Sequence, residues 1–144
     1  MEDGNNDEMI KGVNHITLAV RDLEVSFRFY AEVLGLPPRA RWHRGAYLEA
    51  GEDWICLNVD EATRSESLPE YTHIAFTVEE ADFANAVEKL KAAGARCWQV
   101  NRSPGESFYF LDPDGHKLEI HTSNLQERLK ALAAMPPQDL ILFP

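Results

Sequence analysis

His15 and His73 stand at the same place in two similar stretches, VNHITLAVRDLEVSFRFYAEVLG and YTHIAFTVEEADFANAVEKLKAAG. Each is a strand-like run followed by an amphipathic helix and a glycine, so the chain reads as a duplicated unit. Glu119, in the strand-like segment HKLEIH, adds a carboxylate to the two imidazoles. Two imidazoles and one carboxylate suit Mn, Fe, Zn or a similar divalent ion, with coordination positions left open for a substrate. The same residues have a plainer reading, as two satisfied core histidines and a solvated strand charge. His121 is the rival ligand, because it lies two residues from Glu119 on the same strand face.

Other groups are open to two readings in the same way. The loop Asn101-Arg102-Ser103-Pro104-Gly105-Glu106-Ser107 carries hydroxyls, an amide and turn formers, with Tyr109 following in the next strand. It could offer oxygens to a hard cation or donors to an oxyanion, or be an ordinary surface turn. Arg128 in the last helix is either a solvent-facing charge or a bidentate oxyanion clamp. Trp42, Tyr47 and Trp54 read as partly core aromatics, with the Tyr47 phenol able to orient a nucleophile. His43 and His116 read as turn or surface residues. Cys56 and Cys97 sit in apolar, strand-like contexts, which suits buried, reduced thiols better than a disulfide framework.

The elements that must hold these residues follow from periodicity. In Val13 to Val20, His15, Thr17 and Ala19 alternate with the core-facing Asn14, Ile16, Leu18 and Val20. Asp22 is placed to cap a helix whose Leu23, Phe27, Tyr30 and Leu34 recur at helical spacing, ended by Gly35. Strands are expected near 39–43, 45–50 and 53–58, then a polar linker over 59–70. In the second copy His73, Ala75 and Thr77 share a face. A helix over about 80–92 turns Phe83, Val87 and Leu90 inward, and a strand near 95–100 precedes the hairpin FYFLDPDGHKLEIH. Both copies read β-α-β-β-β, an α+β fold of two modules forming a curled mixed sheet with a concave face. Ser123 with Gln126 resembles a capping box for a terminal helix with a Leu125, Leu129, Leu132 stripe, and the apolar LILF in the tail suggests docking.

The expected organisation is a disordered extension or expression remnant over 1–9 and one domain over 10–135. That domain comprises module one (10–58), the linker (59–70), module two (71–122) and the terminal helix (123–135), and an arm over 136–144 follows. With 144 residues, 44% of them hydrophobic, the chain is large enough for one core without staples. The 24 acidic residues outnumber the 14 basic ones, giving a formal charge of −10, which argues against nucleic acid or anionic membrane as partner. No apolar run approaches the roughly 20 residues of a membrane span, and MEDGNNDEM lacks the basic and apolar regions of a secretory signal. A cytoplasmic protein is expected. An anionic substrate would need a local positive site, from a metal ion and placed arginines.

The paired β-α-β-β-β units resemble the vicinal oxygen chelate superfamily of glyoxalase I, extradiol dioxygenases and bleomycin-binding proteins. More narrowly, NHITLAV, RGAYLEAGEDWICL, YTHIAF, NRSPGESFYFLDPDGHKLEIH and the late Arg128 resemble the FosA-type fosfomycin thiol transferases, in register over about residues 10 to 135. The resemblance implies His15, His73 and Glu119 as metal ligands, usually for Mn(II). It also implies a domain-swapped homodimer, with His15 from one chain and His73 and Glu119 from the other. Asn101, Ser103, Gly105 and Ser107 match a potassium loop. Ser103, Tyr109 and Arg128 match phosphonate contacts, Thr17 and Trp54 pocket residues, and Tyr47 the tyrosine of the thiol side.

The chemistry so implied is conjugation of glutathione to the epoxide of fosfomycin or a related epoxy-phosphonate, with Tyr47, Thr17 and Arg128 as catalytic residues. No enzyme cysteine is required. Gln99 stands where the family has a lysine near the phosphonate or thiol, and losing a cation beside a dianion costs about 1–3 kcal/mol or alters substrate preference. Arg44 and Arg102 are the cations at hand to offset it. A hydratase branch uses a glutamate in module one whose place here is Gly45, with Glu49 nearby. The alternatives are thus an epoxide hydratase or another metal-dependent enzyme of the superfamily, and a metal-free protein that sequesters a small molecule.

Overall fold

In the computed structural model, which describes residues 8–101 and 105–144, the chain divides into two compact units, residues 1–63 and 64–144. The expected extension over 1–9 lies mostly outside the described residues.

The first unit is β1 (His15–Val20), α1 (Leu23–Arg28), β2 (Pro38–Trp42), β3 (Gly45–Ala50) and β4 (Asp53–Val59). Its sheet runs β1-β4-β3-β2, with β1 parallel to β4 and the other pairs antiparallel. Alternation decides the faces: Leu18, Val20, Ala46, Leu48, Ile55 and Leu57 are buried, while His15 and Thr17 on the opposite face are exposed. Asp22 caps α1 as expected, its carboxylate accepting from the Val25 N–H at 3.2 Å.

The helical phase departs from expectation. A π-turn over Phe29–Val33, closed by the Leu34 N–H on the Phe29 carbonyl at 3.0 Å, inserts one residue into the ladder. Both Phe29 and Tyr30 therefore enter the core, together with Ser26. Phe27 is left half-buried, with the Arg41 guanidinium 4.5 Å above its ring.

The second unit repeats the topology with β5 (Ile74–Thr77), α2 (Glu80–Ala92), β6 (Cys97–Gln99), β7 (Ser107–Leu111) and β8 (Lys117–His121), in the order β5-β8-β7-β6. Its core side carries Phe110, Leu118 and Ile120 with Leu90 of α2. β6 is shorter than expected and shifts register between Cys97 and Gln99. It is also an edge strand, so Cys97 is exposed rather than buried; Cys56 is half-buried, and both cysteines are free.

His116 is buried at the hairpin turn, where the Asp112 carboxylate accepts from the Asp114 and His116 backbone N–H groups, both at 2.9 Å. The turn folds inward around Asp112, which is why a surface reading of His116 fails.

α3 spans Leu125–Ala134. Its cap is Asn124, not Ser123: the Asn124 side chain accepts from the Glu127 N–H at 2.9 Å, while the Ser123 hydroxyl donates to the Glu127 carboxylate at 2.9 Å. The cap is displaced by one residue from the expected Ser123, and the Glu127 carboxylate turns back to the Ser123 hydroxyl. Leu125, Leu129 and Leu132 are exposed, as are Ile141, Leu142 and Phe143 of the tail. Among the described residues no helix is long and apolar enough to cross a membrane.

Candidate metal and anion site

β8 presents Lys117, Glu119 and His121 to one face, and the β7 register sets Tyr109 beside Glu119 and Ser107 beside His121. Glu119 is only 2% exposed. Its Oε1 lies 3.1 Å from His73 Nε2, and its Oε2 accepts from the Ser107 hydroxyl at 2.6 Å and lies 3.2 Å from His121 Nδ1. The Ser107 hydroxyl also meets His121 Nδ1 closely, and Arg128 Nη2 donates to His121 Nε2 at 3.4 Å.

The proton positions follow by elimination. His73 Nδ1 lies 2.8 Å from the Tyr71 carbonyl, an acceptor only, so Nδ1 carries the hydrogen and the neutral ring keeps its lone pair on Nε2. That lone pair then faces a carboxylate oxygen at 3.1 Å. Two acceptors at this distance repel unless a cation lies between them, either a proton on the imidazole or a metal ion bound by both. Among the described residues no lysine or arginine pairs with Glu119, whose partners are His73, His121 and Ser107. A desolvated carboxylate without a cationic side chain is costly. The donor set therefore fits a divalent ion bound by His73 Nε2 and Glu119. The Tyr71 carbonyl fixes the tautomer, as outer partners of metal-binding histidines do.

In the first unit His15 is prepared in the same way. Its Nδ1 donates to the Asn14 side-chain oxygen at 2.8 Å, which leaves Nε2 as acceptor, and its ring stacks on Trp54 at 4.1 Å. Tyr47 packs edge-on to Trp54 at 4.7 Å and to Trp42 at 4.9 Å, and is 39% exposed. A cleft of about 250 Å³ opens beside Tyr47 and Trp54, bordered by Arg39, Glu49 and Glu52. Thr17 is exposed on the His15 face.

The structure thus brings His73, Glu119, Ser107 and Tyr109 together with Arg128, and separately places His15, Thr17, Tyr47 and Trp54 on one face of the first sheet. Ser103 and Arg102 lie outside the described residues. The Asn101 side-chain amide donates to the Gly105 carbonyl at 3.0 Å. Arg44 donates to the Val59 carbonyl at 2.9 Å, so its guanidinium already has a backbone partner. The Gln99 amide donates to the Tyr71 hydroxyl at 3.0 Å, which links Gln99 to the residue whose carbonyl holds His73.

Gly45 has no room for a side chain: a Cβ there would lie 2.6 Å from the Leu57 carbonyl and 2.8 Å from the Trp42 ring. Glu49 is paired with Arg39 at 2.7 Å. Asp112, Asp114 and His116 also bring their ligand atoms within 4.8 Å of one another, but Asp112 already organises the turn. Sequence reasoning missed Asn14, Tyr71 and Trp98. Asn14 had a signal in its adjacency to His15; Tyr71 acts through its backbone carbonyl, which leaves none. Trp98 packs 5.2 Å from both His73 and Tyr109 and is anchored by donating to the Leu118 carbonyl.

A sequence profile of the Glyoxalase/Bleomycin resistance protein/Dioxygenase superfamily matches residues 12–120. The chain is 51% identical over 130 residues to a protein named glutathione transferase FosA from Serratia marcescens, covering 89% of this chain and 92% of that one. It is 37% identical over 139 residues to a metallothiol transferase FosB from Shouchella clausii, covering 92% and 94%. Among solved structures, the fosfomycin resistance protein FosX from Listeria monocytogenes, complexed with Mn(II) and sulfate, superposes with a TM-score of 0.72 at 31% identity, over 85% of this chain and 98% of that one. The duplicated β-α-β-β-β topology and these likenesses agree, and the chain belongs to the Glyoxalase/Bleomycin resistance protein/Dioxygenase superfamily, in the group that includes the FosA and FosB proteins.

Proposed function

We propose that the protein conjugates glutathione to the epoxide carbon of fosfomycin or a related epoxy-phosphonate, conferring resistance, with Mn(II) as the divalent ion. The observation that carries the reading is the contact between His73 Nε2 and Glu119 Oε1, two acceptors 3.1 Å apart. A FosA named as a glutathione transferase and a FosX structure holding Mn(II) with an oxyanion support the same chemistry. His15, His73 and Glu119 would hold the ion. When bound, it supplies Lewis acidity to the oxirane oxygen and charge to offset the phosphonate.

The chain's own residues do the rest. Arg128, with Ser103 and Tyr109, donates to the phosphonate oxygens, orienting the epoxide carbon toward the thiol. Tyr47 faces the thiol side, with Thr17 and Trp54 lining the pocket. The thiolate sulfur bonds to the epoxide carbon, that carbon's bond to oxygen breaks, and the oxygen takes a proton to become a hydroxyl. Asn101, Ser103, Gly105 and Ser107 would hold K+, whose charge further offsets the phosphonate on a chain of net charge −10.

The reading includes a homodimer in which His15 of one chain completes the site formed by His73 and Glu119 of the other. The exposed leucine stripe of α3 and the apolar tail are surfaces that a second chain would cover. A cytoplasmic location suits a glutathione co-substrate and two free cysteines.

The test is thiol consumption with fosfomycin, glutathione and Mn(II), with and without K+, the product being identified by mass spectrometry. A glutathione adduct formed faster with K+ is expected. A diol formed from water without thiol would establish a hydratase instead. No bound or activating divalent ion, with folding unchanged in His73→Ala, would leave sequestration of a small molecule.

A further inference from the structure

We propose that His121 is a positioning residue that couples the anion clamp Arg128 to the metal-binding carboxylate Glu119 through Ser107. The inference rests on the function proposed above and adds a role for a residue that sequence reasoning treats as a rival metal ligand.

The directions of the hydrogen bonds carry it. Glu119 Oε2 accepts from Ser107, so the single hydroxyl proton of Ser107 points at the carboxylate, 2.6 Å away. Only lone pairs of that oxygen remain for His121 Nδ1, which must therefore be the N–H donor. A guanidinium only donates, so His121 Nε2 is the acceptor for Arg128. Both ring nitrogens are thereby occupied. His73, by contrast, turns an Nε2 lone pair toward the carboxylate. His121 is 7% exposed, and the β7–β8 register that sets it opposite Ser107 fixes its ring on the Glu119 face.

The chain of donors runs one way, from Arg128 to His121 to Ser107 to Glu119. It crosses from α3 to β8 to β7 and back to β8. The base of Arg128 is set by the capped first turn of α3, where its N–H bonds the Asn124 carbonyl at 3.0 Å. The head of the side chain is set by His121. A guanidinium has five N–H donors, so a single contact to His121 leaves others for bidentate binding of an oxyanion. His121 thus holds the clamp in line and, through Ser107, holds the carboxylate that binds the metal.

Two substitutions separate the halves of this role. His121→Asn keeps a donor where Nδ1 stood and loses the acceptor for Arg128. His121→Gln reaches the place of Nε2 with an acceptor and loses the donor to Ser107. On the intact protein, Mn(II) affinity is read by electron paramagnetic resonance without any anion, fosfomycin affinity by calorimetry at saturating Mn(II), and folding by Tm.

His121→Asn is expected to weaken fosfomycin binding about tenfold with Mn(II) affinity held, and His121→Gln to weaken Mn(II) binding about tenfold with fosfomycin affinity held, outer-partner losses being typically 10–100-fold. Ser107→Ala should copy part of the Mn(II) loss of His121→Gln, which also removes the direct approach of Nδ1 to Glu119 Oε2 at 3.2 Å, and the double variant should lose no more than His121→Gln alone. Equal losses of both affinities in both variants, losses that track Tm alone, or additive losses in the double variant would overturn the proposal. Wild-type protein that binds Mn(II) but not fosfomycin would overturn the functional reading instead, while the Mn(II) comparison would still decide the Ser107 half.

Discussion

The two modules share a topology and a register, and they differ in what occupies equivalent positions. On β3 and β4 of module one, Gly45 pairs with Asn58 and Tyr47 with Cys56; on β7 and β8 of module two, Ser107 pairs with His121 and Tyr109 with Glu119. The tyrosine is common to both. The acid, the hydroxyl and the second imidazole of module two are replaced in module one by a thiol, a glycine and an amide. The charged groups differ in the same way: the ion pairs Glu24–Arg28, Glu24–Arg41 and Arg39–Glu49 lie on the outside of module one, whereas in module two the buried Glu119 carboxylate meets the imidazoles of His73 and His121. One fold therefore serves two tasks. Module two builds a desolvated, charged centre; module one offers a single prepared imidazole on an aromatic platform.

The largest effect should come from the centre of module two. Glu119→Ala or His73→Ala removes a ligand from the pair and should lower turnover by about a thousandfold or more, comparable to or beyond loss of a transition-state donor. Bound Mn(II) should fall with it. His15→Ala should be as damaging despite its sparse surroundings if both modules supply one centre. Mixing His15→Ala with His73→Ala protein then sharpens the comparison. In a swapped dimer, half of randomly formed dimers would carry one intact site of two, restoring roughly a quarter of wild-type activity. No recovery would place both histidines of a site in one chain.

Gly45 tests whether module one could carry the chemistry of module two. A Cβ there meets the Leu57 carbonyl and the Trp42 ring, so Gly45→Ala should destabilise the fold by about 1–3 kcal/mol. A glutamate, as a hydratase would require, should be no better tolerated. A Tm equal to wild type for either variant would show that the β2–β3 turn can yield and would restore the hydratase reading.

Much of this contrast is legible in the sequence, for physical reasons that also mark its limits. Period-two alternation places His15, Thr17, Lys117, Glu119 and His121 on their faces, because strand geometry leaves a side chain two directions only. Turn residues locate β3 and β4 to within a residue. The π-turn at Phe29–Val33 is invisible to a 3.6-residue period, so Phe27 is expected inside where Phe29 lies. Cys97 reads as buried because its neighbours are apolar, and only the sheet order reveals an edge strand. The role of His121 is hidden for a different reason. Its position beside Glu119 is plain, but which nitrogen faces which partner depends on β7 lying alongside.

The aromatic platform of module one gives a smaller effect. Trp54 stacks on His15 at 4.1 Å and lies opposite it in register. Trp54→Leu keeps an apolar side chain but removes the flat surface that orients the imidazole. A loss of about tenfold in Mn(II) affinity is expected, the low end for an outer partner of a ligand. Asn14→Ala should act similarly by freeing the His15 tautomer. Unchanged affinity in both would mean that His15 needs no preparation and that the resemblance to His73 is one of position alone.

The smallest effect belongs to the outer charges of module one. Hydrogen bonding to Arg41, then its charge, with Arg28 adding, holds the Glu24 carboxyl below the usual carboxylate range. A carboxyl whose pKa is lowered by folding contributes stability that is present above its unfolded pKa and is lost as pH falls through the folded one. Glu24→Gln should therefore lower Tm slightly at neutral pH, and the difference from wild type should vanish in acid. Because the pair is solvent-exposed, added salt should shrink the same difference. Mn(II) affinity should not respond. The Glu119 carboxylate should behave oppositely, since burial shields it from salt and its removal is felt first in ligand binding. A salt-sensitive Glu119 variant, or a Glu24 variant that weakens Mn(II) binding, would erase the division between the exposed ion pairs of module one and the buried carboxylate of module two.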